Sequence, residues 1–392
     1  MKILTFTTLY PDTTRNRHGI FVETRLRQLI MHTGIEAKVV APVPWFPWKA
    51  SMFGDYAAYA RVPRQELYHG IEVYHPRYPL LPKIGMSLTP WLMAQAVTPI
   101  LQGLLRDGYD FDVIDAHYFY PDGVAAALLA RTFRKPLVIT ARGSDLNLIA
   151  RLPLPRKWIS WATRRADHLI TVSTALKQVL VEMGVHPSKI TALRNGVDMA
   201  LFRPVEREMM RRTLGVSGFV LLSVGNLVPA KGHDLVIETV AHLPDAMLLI
   251  IGQGPDQPRL CRMIADLGLD DRVRILGNME QDALRNHYGA ADALVLASAR
   301  EGWPNVLLES LACGTPVIAT SVGAAPDIVA APEAGMLVAE RSSTALLAAI
   351  RQLREHYPDR VATRTYAEQF SWDETSAGQV QVFNRLTRAH TS

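Results

Sequence analysis

Residues 219–238 read FVLLSVGNLVPAKGHDLVIE. An apolar, β-rich run ends at the turn Gly225-Asn226, a loop follows, and a helical pattern begins near Lys231-Gly232. A strand that passes into a helix through a short loop is the repeating unit of a parallel sheet with helices on its faces. The unit recurs downstream. AMLLIIGQG, RVRILGN, ALVLAS, TPVIAT and GMLVA read as strands, with helical patterns at VIETVAHL, PRLCRMIADLG and DALRNHYGA.

The same alternation runs through the first half. Strand candidates there are KILTFTT, AKVVAPV, IEVYHP, FDVIDAHY, PLVITARG, HLITVS and KITALRN, and DGVAAALLARTF and TALKQVLVEMG read as helices. The segment NGVDMALFRPVEREMM, which mixes a turn, a Pro and charges, separates the two sets. The fold class is therefore α/β, with two doubly wound domains facing a cleft. WDETSAGQVQVFNRLTRA closes the sequence as a helix with no strand after it.

Composition agrees. The 392 residues suit two or three domains, and 48% hydrophobic with 20% charged residues is an ordinary globular balance. The net charge of +5 is a mild surplus. It fits an anionic ligand or membrane surface, and no basic run with interleaved aromatics points to nucleic acid. Cys261 and Cys313 lie in apolar context and read as reduced core residues of a cytosolic protein. MKILTFTTLYP lacks a long apolar core and a cleavage site, so it reads as a first strand and not a signal peptide. IGMSLTPWLMAQAVTPILQGLL (84–105) is long enough to span a bilayer, but Pro90, Pro99, Gln95, Gln102 and Gly103 break and polarise it. It reads as a buried or surface-docked helical segment.

Ligands of open α/β sheets bind beyond the carboxyl ends of the strands. Lys231 beside a helix start suits phosphate, or is a surface lysine in a loop. GQG at 252–254 lacks the third glycine of the dinucleotide fingerprint and marks a close backbone approach. AREGWPNVLLESLACGTPVIAT (299–320) places Glu301 in a loop and Glu309 more than one turn into a helix whose first position suits Pro304. Two carboxylates along one wall can accept paired hydrogen bonds from vicinal diols, and amides near Trp303 and Asn305 add donors. The alternative is a helix-dipole glutamate followed by a solvated one, which the apolar neighbours of Glu309 disfavour. In the first half His117 lies just past a buried strand, as a donor, a general base or a hydrogen-bonded structural histidine. Arg142, Gly143 and Asp145 follow the next strand, and Gly19 sits where a phosphate could meet backbone N–H groups.

The run from Glu301 to Glu309, with seven residues between them, resembles the paired-glutamate signature of the retaining glycosyltransferases of family 4. SLACGTPVIATSVGAAPDIV, SVGNLVPAKGHDLVIE, IIGQGPD, RVRILGNM, YGAADALVLAS and LRNGVDMALFRP resemble that family's other blocks in order. The first half resembles it at HGIFVETRLRQL, DAHYFYPDG and ARGSDL. The resemblance implies a GT-B fold. Residues 1–197 would form an acceptor-side Rossmann-like domain, joined by the helix 372–390, and 198–371 the nucleotide-sugar domain. Glu301 and His117 would lie at the transferred sugar, Lys231 at the diphosphate and Glu309 at the ribose. Gly19, Asn226, Met279, Trp303 and Asn305 would complete the donor site. No metal or other cofactor is implied, because helix dipoles and Lys231 supply the positive field. The implied reaction is hexosyl transfer from a UDP- or GDP-linked sugar to a glycan or lipid-linked glycan, as in exopolysaccharide or envelope assembly. A nucleotide-sugar 2-epimerase and a non-catalytic sugar-binding protein are the alternatives.

Two departures stand out. Asn226 occupies a position where the family has Arg, so a charge is missing unless Arg142 or another base replaces it. The first loop has His18-Gly19 in place of Gly-Gly. APVPWFPWKASMFGDYAAYARVPR combines Trp45, Phe46, Trp48 and Phe53 with Lys49, Arg61 and Arg64. It suits either an acceptor-side loop or peripheral contact with an anionic membrane at the inner face of the cell membrane.

Overall fold

The computed structural model describes residues 1–48, 52, 55–79 and 85–391. The chain forms two compact units, one of Met1–Arg194 with the chain from Trp372 onward, the other of Asn195–Ser371.

The amino-terminal unit has strands β1 (Lys2–Phe6), β2 (Glu36–Val40), β3 (Val43–Trp45), β4 (Gln65–Tyr68), β5 (Ile71–Tyr74), β6 (Arg77–Pro79), β7 (Val113–His117), β8 (Leu137–Ala141), β9 (His168–Thr171) and β10 (Ile190–Ala192). Eight of them form one sheet in the order β10-β9-β8-β7-β1-β2-β5-β4, parallel throughout except for the β4–β5 pair. β3 and β6 pair separately. β7 and β8 are buried at every position, as a sheet covered on both faces requires, and the polar Asp115 and His117 of β7 are buried with their apolar neighbours. Ile3, Val39, Val113, Val138 and Ile170 pack with Val22, Leu26 and Leu29 of the helix Ile20–Thr33. Val382 and Phe383, from the last helix Asp373–Thr391, join the same core.

The carboxyl-terminal unit has β11 (Phe219–Val224), β12 (Ala246–Ile251), β13 (Val273–Ile275), β14 (Ala293–Leu296), β15 (Val317–Thr320) and β16 (Gly335–Val338). They form one fully parallel sheet, β13-β12-β11-β14-β15-β16. Leu221, Leu248, Ile250 and Val295 pack with Val236, Ile237 and Val240 of the helix His233–Ala241. Each unit is thus a doubly wound, Rossmann-like domain. The strand order reverses between β1 and β7 in the first and between β11 and β14 in the second. Those are the switch points at which such sheets bind ligands.

Three expectations change. The segment 84–105 contains one helix, Gly85–Arg106, that continues through Pro90 and Pro99. Its Met93, Val97, Leu101 and Leu104 are buried, so packing outweighs the lost backbone bonds. Among the described residues no helix is long and apolar enough to cross a membrane. Cys261 is exposed, not core. Leu260 and Ile264 take the inward face of the helix Gln257–Asp266, which turns the residue after Leu260 outward. Pro304 caps the helix Asn305–Ala312 with a non-helical ψ of 87° and is not its first turn. Lys49 and Phe53 lie outside the described residues.

Candidate active site

In the carboxyl-terminal unit the loops after β11 and β14 are stitched together. Ala299 N–H donates to Ala230 O at 2.8 Å. Arg341 donates from Nε to Ala297 O at 2.8 Å and from Nη2 to Pro229 O at 3.0 Å, one carbonyl from each loop. Gly232 caps the helix His233–Ala241 at φ +70°, and a Cβ there would overlap the Ala297 carbonyl. Gly252, after β12, has φ +151°, and a Cβ on it would overlap the Gly225 carbonyl. Only glycine permits these backbones to lie so close.

This stitching brings Lys231 to Glu301. Lys231 Nζ lies 2.5 Å from Glu301 Oε1, and Ser298 Oγ donates to the same oxygen at 2.6 Å. The Glu301 side chain is 10% exposed and that of Lys231 26%, so water screens the pair only in part. Glu309, one helical stretch later, accepts from Tyr288 OH at 2.8 Å through Oε2. Asn305 Oδ1 accepts from Asn195 Nδ2 at 3.2 Å. Trp303 is buried, its ring 6.4 Å from that of Phe370, and its indole N–H has no partner among the described residues. Asn226 is exposed at the end of β11, and Met279 is half-buried in the loop after β13. His233 bonds Ser223 Oγ through Nδ1, and burial pushes its pKa down to about 4.

In the amino-terminal unit His117 is the last residue of β7 and is 1% exposed. Arg142 Nη2 lies 2.7 Å from its Nδ1, and Asp115 Oδ2 3.2 Å from its Nε2. A guanidinium can only donate. Nδ1 is therefore the acceptor, and Nε2 carries the hydrogen given to Asp115. Burial, with Arg142 and Arg25 adding to it, lowers the His117 pKa to about 4, and the ring is neutral. A general base needs a lone pair, and this ring offers one only if Arg142 moves away. Both ring nitrogens are thus engaged within the amino-terminal unit. The network continues: Gln379 donates to Asp115 Oδ2 at 2.9 Å and accepts from Arg25 Nε at 3.0 Å. Directly after His117, Tyr118 has φ +81°, a strained turn off the strand end. Gly19 caps the helix Ile20–Thr33 at φ +69°, and its carbonyl accepts from Val22 N. Among the described residues no group of three or more His, Cys, Asp or Glu is arranged to hold a metal ion.

Sequence reading did not single out Ser298, Tyr288, Asp115, Gln379 or Arg25. Ser298 alone carried a local signal, three residues before Glu301 at the end of β14; the others meet their partners only through the fold.

Comparison with known proteins follows the division into units. The profile described as Glycosyltransferase Family 4 matches residues 27–201, and that described as Glycosyl transferases group 1 matches 206–370. A D-inositol 3-phosphate glycosyltransferase of Acidothermus cellulolyticus is 31% identical over 349 residues, 82% of this chain and 78% of that protein. A Bacillus subtilis glycosyltransferase named for teichuronic acid biosynthesis is 29% identical over 358 residues, 89% of this chain and 88% of its own. The Anabaena protein HepE, solved in complex with UDP, superposes with a TM-score of 0.75 at 21% identity, over 98% of this chain and all of that one; at that identity it speaks for the fold alone. The chain belongs to family 4 of the GT-B glycosyltransferases, enzymes that move a sugar from a nucleotide-sugar donor to an acceptor.

Proposed function

We propose that the protein is a retaining hexosyltransferase. The carboxyl-terminal unit holds a UDP- or GDP-sugar, and the acceptor is a glycan or lipid-linked glycan. The observation that carries this reading is the gathering of Lys231, Glu301 and Glu309 on the loops and helix beyond β11 and β14, at the unit's switch point. Lys231 meets the diphosphate, Glu301 the hydroxyls of the transferred sugar and Glu309 the ribose diol. Asn305, the buried indole of Trp303, Asn226 and Met279 line the donor, and Gly19 offers backbone N–H groups from the amino-terminal unit. His117 is that unit's candidate for contact with the transferred sugar. It serves as a rigid neutral group and not as a base. The anomeric C–O bond to the leaving phosphate breaks while the acceptor oxygen bonds the same face of the sugar. The departing phosphate takes the acceptor's proton, and Lys231 offsets the charge that develops on it.

Thermal-shift measurements with UDP-, GDP- and ADP-sugars identify the donor, since a ligand bound only by the folded state raises Tm. Lys231→Ala and Glu309→Ala are expected to weaken binding of the matching nucleotide by about tenfold or more, the worth of a charge-assisted hydrogen bond. Unchanged affinity in both variants would remove the assignment. Retention is read by NMR from the anomeric configuration of the first-formed product.

The relatives named for D-inositol 3-phosphate and teichuronic acid support a polar, anionic acceptor. Surface chemistry supports work at the inner face of the membrane. Trp45 and Trp48 are more than half exposed. Leu148, Leu152 and Leu154 are exposed beside Arg151, Arg156 and Lys157, and no acidic residue occurs between Asp145 and Asp167. Apolar side chains interleaved with cations suit anionic lipid. Co-sedimentation with phosphatidylglycerol vesicles but not with phosphatidylcholine vesicles is the expected result. Equal recovery with both would remove the electrostatic part of this reading.

A further inference from the structure

Three arginines reach the carboxyl end of the amino-terminal sheet, each from a different segment. Arg15 lies in the loop after β1, and Arg77 begins β6 just beyond β5. Arg64 precedes β4, which runs antiparallel to β5 and so starts at that same end. Glu66 ties the segments together. Its Oε2 accepts from Thr13 N–H at 3.2 Å, and its Oε1 lies 2.7 Å from His75 Nε2. His75 N–H in turn donates to Arg64 O at 2.8 Å, and Arg77 Nη2 donates to Val62 O.

The charges gathered there do not balance. Asp12 is taken up by Arg15, from Nε at 3.0 Å and Nη2 at 2.6 Å, and Glu66 by His75 and Thr13. Among the described residues neither Arg64 nor Arg77 pairs with a carboxylate, and Arg77 Nη1 is buried without a hydrogen-bond partner. Burial pushes the Arg77 pKa down, and the charges of Arg64 and Arg15 push it the same way. A buried donor without an acceptor, set among like charges, calls for an anion.

We propose that Arg15, Arg64 and Arg77 form a subsite for an oxyanion carried by the acceptor, a phosphate or a carboxylate. The inference rests on the anionic-acceptor reading above and names the residues that would serve it. Arg77 Nη1 donates from the buried side, and the exposed Arg64 closes the subsite from the rim. Arg15, anchored by Asp12 and lying over the Tyr59 ring at 5.0 Å, adds its charge from a fixed place. The location is the edge at which open α/β sheets take ligands. An acceptor without the anion leaves these donors unanswered, so the arginines select for charge.

The test is the melting temperature with inorganic phosphate, and separately with glucuronate, against chloride at equal ionic strength. It is run on the wild type, Lys231→Ala, and Lys231→Ala combined with Arg64→Gln or with Arg77→Gln. The Lys231→Ala background weakens the proposed diphosphate contact, the other place where phosphate could bind. Phosphate is expected to raise Tm by about 2–4 °C in the wild type and in Lys231→Ala, and the gain should disappear when either arginine is replaced. An excluded-salt effect would be the same in every variant. A gain with phosphate alone supports a phosphorylated acceptor, and one with glucuronate alone or with both supports a subsite that accepts a carboxylate. No gain with either anion in the wild type overturns the proposal. So does a gain that survives both arginine substitutions, or one that vanishes with Lys231→Ala alone. Arg64 is exposed, so its variant carries the test if Arg77→Gln does not fold. Nucleotide calorimetry on the same proteins keeps the two readings apart. Affinity indifferent to Lys231→Ala removes the donor-site reading and leaves the subsite, whereas affinity lost in Arg64→Gln places that arginine at the donor and overturns the subsite.

Discussion

Replacing Tyr288 by phenylalanine removes one oxygen and keeps the ring. That ring is fully buried in the helix Gln281–Ala290 and meets Phe202 edge-on at 6.0 Å, so packing is preserved. What is lost is the 2.8 Å hydrogen bond to Glu309 Oε2. Hydrogen bonds to charged groups contribute roughly 1.5–3 kcal/mol, but the half-buried Glu309 regains some hydration, so about 1 kcal/mol of stability should disappear. The effect on nucleotide binding has a different origin. The tyrosine hydroxyl holds the carboxylate in one orientation, the one the proposed ribose contact would use. Without it, that ordering falls on the binding step, at about 0.5–1.5 kcal/mol for one flexible side chain. Affinity for the nucleotide should therefore fall about two- to twelvefold. Calorimetry of the matching nucleotide, paired with urea unfolding, separates the two effects. A variant with lowered stability and unaltered nucleotide affinity would refute the reasoning, because Glu309 would then serve the helix and not the ribose.

Three further outcomes are expected. The His233 pKa, pushed down to about 4 by burial, keeps the ring neutral when folded while the unfolded side chain titrates near 6.5. Its stabilisation, ~3 kcal/mol at most, is complete above about pH 6.5 and is lost as pH falls toward 4. Asp122, pushed up to about 7 by burial, acts in the opposite sense, so the readout is the difference in unfolding free energy between wild type and His233→Asn, which should shift in favour of the wild type as pH rises from about 4 to 6.5; a difference independent of pH would count against it. Gly252→Ala should lower Tm by several degrees, because its Cβ would meet the Gly225 carbonyl; an unchanged Tm means that the two loops can part. Gln379→Leu removes hydrogen bonds to two buried charges, Asp115 and Arg25, and should cost about 3 kcal/mol in urea unfolding; a cost below ~1 kcal/mol means that water fills the gap.

Most parallel strands were legible because they are short, mainly apolar runs between turn residues, as in FVLLSV and AMLLII. Gln65–Tyr68 was not. It is a polar edge strand that pairs antiparallel with β5, and QELY has no apolar run to mark it. Val43–Trp45 and Arg77–Pro79 are three residues each, too short for a period to show. At the site, local sequence placed Lys231, Glu301 and Glu309 after strands, because loops after parallel strands carry the polar residues. It could not show that Lys231 and Glu301 are bonded, for 70 residues separate them. His117 illustrates the same limit. Its position after a buried strand was readable, but its tautomer depends on Arg142, and on an Asp115 that is itself held by a glutamine 264 residues away.

That glutamine belongs to a helix synthesised after the carboxyl-terminal unit but packed into the unit synthesised before it. On the ribosome, the sheet from β1 to β10 emerges without Val382 and Phe383 to complete its core and without Gln379 to satisfy Arg25 and Asp115. The stretch Asn195–Ser371 is continuous, and every strand of its parallel sheet has emerged once Ser371 has. The younger unit can therefore mature before the older one, against the usual order in which domains fold as they are made. A nascent chain halted at Ser371 would carry a carboxyl-terminal unit with its sheet and core present beside an amino-terminal one with bare apolar surface and without the Gln379 bonds to Arg25 and Asp115. In the cell, that interval is when chaperones would have the most to hold.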